Sequence, residues 1–325
     1  MSEQRRWLKQ RLASGSTVWF AGAQDALSAR LVDQSSFDGV FTTGFGISAS
    51  LLGQPDMELY TLSENLGVVD HIANVVSKPI FADADTGYGN VLNTQRTVRA
   101  FEKAGVAALS IEDQVSPKRC PAASTASVTL PVAEAVAKIR AAVDARRDPD
   151  LLIVARTDVM DAQEALERAA RYAEAGADLI QPISRTFSSH ADLVKLRETC
   201  GRPLSLQLME GTWMAALSRA QIESVAGMAT YPIVGLLSIV HALRANLAAL
   251  AERRGEPMDE LPCPRTTMAE FKQVIGWHEL EQRQARLEMD ATGRQAEMPS
   301  GLGRTTFAPA NNPNYPPTGG DPLCP

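Results

Sequence analysis

Cysteine is sparse and scattered. Cys120, Cys200, Cys263 and Cys324 stand far apart with no C-x-x-C pair, so no cysteine-based metal centre is expected, and in a reducing compartment the thiols stay unpaired with one another. Long apolar runs are missing as well. No stretch of about 18 consecutive apolar residues is read, and the charged start MSEQRRWLKQR has no apolar signal region behind it. The expectation is a cytoplasmic protein with no membrane partner. Positive charge is not in excess: a net charge of -6 gives no electrostatic reason for nucleic acid as a partner. A dinucleotide fingerprint is also lacking. The glycines at 44 and 46, and at 87 and 89, are not followed by a third at the G-x-G-x-x-G spacing, which disfavours an open doubly wound sheet.

What is present is ordinary in amount and ordered in arrangement. A hydrophobic fraction of 45% with 22% charged residues suits a large core, and 325 residues suit one decorated α/β barrel. Apolar runs at 17–21, 39–42, 79–82, 107–111, 151–155, 178–181, 203–207 and 227–231 read as eight strands, with helical patterns between them at, for example, 26–32, 62–76, 94–104 and 164–175. A helix over 4–14 precedes the first strand. The segment after residue 42, through Gly44, Gly46, Ser48, Ser50 and Gly53 to Asp56, reads as a loop. The phrases Lys103-Ala-Gly-Val-Ala and Glu174-Ala-Gly-Ala-Asp are one device used twice, a helix closed by glycine and turned straight into a strand. Eight such alternations predict a (β/α)8 TIM barrel, with the open sheet as the alternative.

Polar residues then fall at one end of these strands. Thr43, Asp83, Asp85, Glu112, Asp113, Arg156, Asp158, Gln181 and Gln207 all lie at or just past strand carboxyl ends, the face on which barrels build active sites. The centre of the pattern is residues 78–90, KPIFADADTGYGN. A short apolar strand breaks there into Asp83 and Asp85, which share a face if the strand continues. Two carboxylates so close need a cation, a shared proton or water, and an all-oxygen site suits magnesium. The bland alternative is an Asp-Gly turn with solvated carboxylates.

Beyond residue 255 the character changes. Pro257, Pro262 and Pro264 mark a linker, 268–289 reads as one long helix with a narrow apolar face, and from about 292 Pro, Gly, Asn and Thr dominate. The expected organisation is a catalytic barrel over 1–255, a linker and terminal helix over 256–291 that packs on another subunit, and a tail over 292–325.

DADTGYGN at 83–90, GVAALSIEDQVSPKRC at 105–120 and IVARTD at 153–158 resemble the isocitrate lyase and phosphoenolpyruvate mutase superfamily, nearest to its short-chain members. Those include methylisocitrate lyases, oxaloacetate decarboxylases, phosphonopyruvate hydrolases and phosphoenolpyruvate mutases. The resemblance implies a barrel, Mg2+, and a 2-oxo or 2-hydroxy acid substrate reacting through an enolate. It implies Asp83 as direct metal ligand, with Asp85, Asp56 and Glu112 holding the metal's waters. It also implies that Thr43, Gly44, Phe45 and Arg156 bind the substrate carboxylate, and that a loop over 114–130 closes on the site. Lys118, Arg119 and Cys120 match a lysine-basic-cysteine triplet whose cysteine acts as acid or base. Exchange of the last helix within a homo-oligomer, a dimer of helix-swapped dimers, is implied too.

Departures from the lyase pattern concern the substrate. After Cys120 the chain reads Pro-Ala-Ala-Ser-Thr-Ala-Ser in place of the lyases' Gly-His and Gly-Lys, and Gln181-Pro-Ile-Ser184-Arg185 occupies the place of a lyase glutamate, its Ser184-Arg185 pair resembling the phosphonate enzymes. Gln207-Leu-Met-Glu210 follows the lyase pattern loosely. The leading expectation is a magnesium-dependent carbon-carbon lyase acting on a small di- or tricarboxylate. The alternative is phosphonopyruvate hydrolase or mutase chemistry on a carbon-phosphorus bond.

Overall fold

A computed structural model describes residues 2–120, 128–254 and 261–292. The seven residues after Cys120 and the tail, on which expectations were placed, lie outside the described residues. The chain forms two compact units, 1–238 and 239–325.

In the first unit eight parallel strands close on themselves in chain order. They are β1 (Val18–Ala23), β2 (Gly39–Thr42), β3 (Ile80–Asp83), β4 (Ala108–Glu112), β5 (Leu152–Thr157), β6 (Leu179–Pro182), β7 (Leu204–Gln207) and β8 (Ala226–Tyr231). Each begins within one residue of its predicted start. The barrel is filled rather than hollow. Phe20, Phe41 and Phe81 meet inside it, with ring centroids 4.9 Å apart for Phe41 and Phe81 and 5.8 Å for Phe20 and Phe81. Gly39 makes room for this cluster, since a Cβ there would lie 2.3 Å from the Phe20 ring. Helix α1 (Ser2–Ala13) contributes Leu8 to the same cluster. Its Arg5 donates to the Val106 carbonyl at 2.8 Å and pairs with Asp148 at 2.9 Å. The helix is thereby fixed across the amino ends of the strands.

Outside the strands run α2 (Ala26–Asp33), α3 (Gly44–Leu52), α4 (Leu62–Ala73), α5 (Val91–Ala104), α6 (Val132–Ala145), α7 (Ala162–Glu174), α8 (His190–Cys200) and α9 (Arg219–Val225). Their buried faces, including Val69, Ile72, Val98, Phe101, Ile139 and Leu196, form the second core cluster. Each such side chain contributes about 1.5–3 kcal/mol relative to exposure. Capping boxes at Asp25/Ser28, Thr61/Glu64, Asn90/Asn93 and Ser189/Asp192 fix where four of these helices start. The loops at the carboxyl ends of the strands therefore have set lengths.

Four expectations are corrected. The segment after Thr42 is the helix α3, started by Thr43, whose hydroxyl accepts from Gly46 N at 3.3 Å; a cap outweighs the low helix propensity of its glycines and serines. Strand β3 ends at Asp83 and Asp85 has φ 49°, so the two carboxylates do not share a strand face. The terminal helix is two helices, α11 (Met268–Val274) and α12 (Trp277–Thr292), broken at Gly276 with φ 70°. Finally, α10 (Val234–Glu252) is by length and composition apolar enough to cross a membrane, and none of its residues is buried. Ser238, His241, Arg244 and Asn246 interrupt its apolar run without making the helix polar. In the second unit Asn246 holds the Cys263 backbone through two hydrogen bonds, of 2.9 and 3.0 Å.

Candidate active site

Four carboxylates converge at the carboxyl ends of β2 to β4. Asp83 ends β3, Asp85 follows it, Glu112 ends β4, and Asp56 follows α3; all four are buried. The backbone that carries them is over-determined. Asp83 Oδ1 accepts the Asp85 amide at 3.1 Å, and Asn65 donates to the Asp83 carbonyl at 3.1 Å and to the Tyr88 hydroxyl at 2.7 Å. The Tyr88 hydroxyl donates in turn to Asp85 Oδ2, and Lys138 donates to the Thr86 carbonyl. Burial in a common environment raises the carboxyls of Asp56 and Glu112 above their ordinary range and Asp83 to about 6.

Two cations answer this charge. Arg156, near the end of β5, grips Asp158 with two hydrogen bonds of 2.8 and 3.0 Å and reaches Glu112 Oε2 at 2.9 Å. The Lys118 ammonium lies among the acids, 2.7 Å from Asp85 Oδ1, 3.0 Å from Asp56 Oδ2 and 4.0 Å from Glu112 Oε2. Burial opposes the charge on Lys118, but Asp85, Glu112, Asp56 and Asp83 outweigh it and hold the ammonium well above its ordinary value. Glu58 makes that placement possible. Its carboxylate accepts Ser116 Oγ and Lys118 N, both at 2.8 Å, and Thr86 Oγ1 at 2.5 Å, and so ties the loop after β4 to the turn after β3.

Counting Asp158, five carboxylates face two cations, and further oxygens are unsatisfied. Asp56 Oδ1, Glu112 Oε1 and the Tyr60 hydroxyl are buried without a hydrogen-bond partner, a costly condition unless a ligand is to be met there. Among the described residues no three His, Cys, Asp or Glu side chains gather to ligate one ion directly. The set fits magnesium in another way, as one direct ligand with further carboxylates bound to its waters, because this ion keeps several waters. Gly44 preserves the space: a Cβ there would lie 2.8 Å from Asp83 Oδ2 and from the Tyr60 hydroxyl.

A cavity of about 530 Å³ opens beside the cluster. Thr43, Phe45, Asp56, Asp83, Cys120, Arg156, Gln181, Ser184, Arg185 and Gln207 line it, so most of the residues singled out from the sequence meet there. The amides of Gly44 and Phe45 belong to the first turn of α3, whose N–H groups have no carbonyl four residues back and favour an anion. Asp113 is not part of this set. It faces outward, accepting Asp158 N at 2.9 Å, Arg168 at 3.1 Å and the Tyr172 hydroxyl at 2.7 Å. Strand alternation sends Glu112 and Asp113 to opposite faces. Glu58, Tyr60, Asn65 and Tyr88 were not singled out from the sequence, although Tyr88 lies inside the 83–90 motif. Trp213 and Ile233 also line the cavity without a motif to mark them, as does Met209 inside the loosely matched Gln207–Glu210 stretch.

A parallel eight-stranded barrel with its charged groups at the carboxyl end of the strands defines a TIM-barrel protein with a carboxylate-rich site. The chain belongs to the phosphoenolpyruvate phosphomutase family, whose sequence profile matches residues 8–247, within the PEP mutase/isocitrate lyase superfamily. It is similar to the 2,3-dimethylmalate lyase of Eubacterium barkeri, with 35% identity over 85% of this chain and 95% of the relative. Identity is also 35% to the 2-methylisocitrate lyase of Aeropyrum pernix, over 87% of this chain and 91% of that one. Among solved structures, a phosphonopyruvate hydrolase complexed with oxalate and Mg2+ superposes with a TM-score of 0.77 at 29% identity, covering 87% of this chain and 98% of that one. The relatives are enzymes of this superfamily.

Lys118 gives the first prediction. Replacing it with Met removes the only ammonium that the described residues pair with this carboxylate cluster, so metal-free protein is expected to lose about 3–5 kcal/mol of stability, as when one partner of a buried ion pair is removed. Magnesium should restore that loss and bind at least about tenfold more tightly than to the parent, since a like charge near the ion is gone. Thermal melts and calorimetry with and without magnesium check this; weaker binding in Lys118→Met would show that the ammonium assists the metal.

Proposed function

We propose that this protein is a magnesium-dependent lyase that cleaves a carbon-carbon bond of a small 2-hydroxy or 2-oxo di- or tricarboxylate and releases pyruvate or a related 2-oxo acid. One observation carries the reading: of a cluster of four buried carboxylates, three with unsatisfied oxygens, Asp56 and Asp83 line the same cavity as Arg156 and the first turn of α3. A bound magnesium ion, held by Asp83 directly and by Asp56, Asp85 and Glu112 through its waters, would supply a Lewis acid at the oxygen on substrate C2.

The chain's own groups do the rest. The amides at the start of α3 and the Arg156 guanidinium take the carboxylate on C1. Glu112 Oε1 accepts the proton of a 2-hydroxyl group. As the C2=O bond forms, the electron pair of the C2–C3 bond passes to C3, giving the enolate form of the departing acid, and the Cys120 thiol protonates C3. One proton leaves the hydroxyl and one arrives at carbon, so no oxidant or reductant is consumed. Cytoplasmic location belongs to the same reading.

Carbon-phosphorus chemistry is the second reading, favoured by Ser184 and Arg185 on the cavity wall. The engagement of Lys118 and Arg156 by carboxylates leaves fewer cations for a phosphoryl group. Incubation with magnesium and oxaloacetate, 2-methylisocitrate, 2,3-dimethylmalate or phosphonopyruvate, with products identified directly, separates the two. Pyruvate with a second organic acid or with carbon dioxide supports the lyase; pyruvate with phosphate alone overturns it.

The reading includes a homo-oligomer in which dimers exchange the terminal helices and pair into a tetramer. Exposed Ile239, Val240, Leu243 and Leu247 on α10 and Trp277, Leu280 and Leu287 on α12 support it, because so much apolar surface on helices calls for a cover. Deleting residues 262–325 is expected to break the oligomer in size-exclusion chromatography. A truncated chain that elutes at the full-length oligomeric state and stays soluble would contradict the exchange.

A further inference from the structure

Arg156 and Cys120 stand on different segments, one near the end of β5 and the other six residues past Gln114 on the loop after β4. Gln114 joins them. Its side chain is buried, its amide nitrogen donates to Asp158 Oδ2 at 2.5 Å, and its amide oxygen accepts the Arg119 backbone N–H at 3.0 Å. Asp158 is the carboxylate that Arg156 grips, through Oδ1 and the same Oδ2. Arg119 directly precedes Cys120. The frame around Gln114 is fixed as well. Asp113 takes Asp158 N on its carboxylate at 2.9 Å and Leu130 N on its carbonyl at 2.8 Å, Val115 N donates to the Val128 carbonyl at 2.8 Å, and Gln114 forms a β-bridge with Thr129. The base of the loop is thereby closed, and Gln114 is held at its root.

Resting on the lyase reading above, we infer that Gln114 is a positioning residue for the reaction: one amide holds both the arginine that takes the substrate carboxylate and the segment that carries the proton-donating thiol. In that reading Arg156 binds C1 and the proton arrives at C3, so the reach from guanidinium to thiol has to match the substrate. Lys118 N on Glu58 and Cys120 N on the Asp56 carbonyl fix the segment toward the chain after α3. The Gln114 bonds fix it toward β5. The residue type follows from this double duty, since a carboxamide offers an N–H donor and an oxygen acceptor at one reach and carries no charge. A carboxylate at 114 would keep the bond from Arg119 N and face Asp158 with like charge. An ammonium would keep the bond to Asp158 and leave Arg119 N without its acceptor.

Two measurements on the full-length protein read the two ends without turnover. Oxalate, which carries the carboxylate and adjacent oxygen of a pyruvate enolate, is titrated by calorimetry with magnesium present and reports on Arg156. The rate at which iodoacetamide alkylates Cys120, followed by peptide mass spectrometry, reports on the segment. Gln114→Met removes both bonds, so oxalate is expected to bind about tenfold more weakly, the scale of one hydrogen bond to a charged group, and Cys120 alkylation to quicken at least about fivefold as the segment opens. Gln114→Glu should move the first readout and spare the second, and Gln114→Lys the reverse. On whichever of oxaloacetate, 2-methylisocitrate or 2,3-dimethylmalate is cleaved, kcat of Gln114→Met should fall about a hundredfold, the scale of a 1 Å misplacement. Either readout unchanged in Gln114→Met would overturn the inference, as would both moving together in all three variants, the mark of a general loss of structure. The expected split with cleavage of none of these acids would support the double hold and overturn the lyase reading alone.

Discussion

Asp83→Ala is expected to abolish magnesium binding and magnesium-dependent turnover while the barrel stays folded. Asp83 is buried at the end of β3, beside the space that Gly44 keeps open, and it is the carboxylate to which the direct contact with the metal is assigned. Its removal costs the hydrogen bond from the Asp85 amide, about 1 kcal/mol. It also relieves a crowded site, in which burial and then the Asp85 charge hold the Asp83 carboxyl up at about 6 against the opposing pull of Lys118. The two effects oppose each other, so the melting temperature should move by only a few degrees, on the scale of a 1 kcal/mol change. Calorimetry reads the metal directly, and unchanged magnesium affinity in Asp83→Ala would remove this residue from the site.

Cys120→Ser is expected to lower turnover by about two to four powers of ten with substrate binding little changed, as for loss of an acid-base group. Cys120 lines the cavity, and its amide donates to the Asp56 carbonyl at 3.1 Å, which ties the segment carrying the thiol to the segment carrying that carboxylate. A departing acid left as a carbanion needs a proton at C3, and Cys120 is the one cysteine lining the cavity among the described residues. In a decarboxylase or phosphonopyruvate hydrolase, carbon dioxide or phosphate departs instead, and the substitution would be mild. Turnover measured from pH 6 to 9 on the accepted substrate decides, since near-normal rates throughout would exclude the thiol as proton donor.

The barrel was legible because its strands are short apolar runs that end in polar residues, and because glycine closes helices at Gly105 and Gly176. The cavity gathers Asp83, Arg156 and Cys120 because strand carboxyl ends share one face, a consequence of parallel closure. Helix α3 was hidden by its own composition, Gly44-Phe45-Gly46, where the Thr43 cap decides and propensity misleads. The place of Lys118 was hidden for another reason. The triplet marks Lys118 for the site but not its position among the acids, which depends on Glu58, sixty positions earlier, accepting its amide at 2.8 Å. Trp213 and Ile233 reach the cavity from loops after β7 and β8 that share no motif, so their meeting exists only once the strands have closed.

Proton inventory at the cleaved carbon tests the central claim most directly. Metal-stripped enzyme is given 2,3-dimethylmalate in deuterium oxide, magnesium is added, and the products are followed by nuclear magnetic resonance. Equimolar pyruvate and propionate, with one deuteron on C2 of the propionate and no product before magnesium is added, is the predicted result. Cleavage that proceeds equally without magnesium, or propionate that carries no solvent deuteron, would contradict a metal-dependent lyase that protonates a carbanion in this cavity.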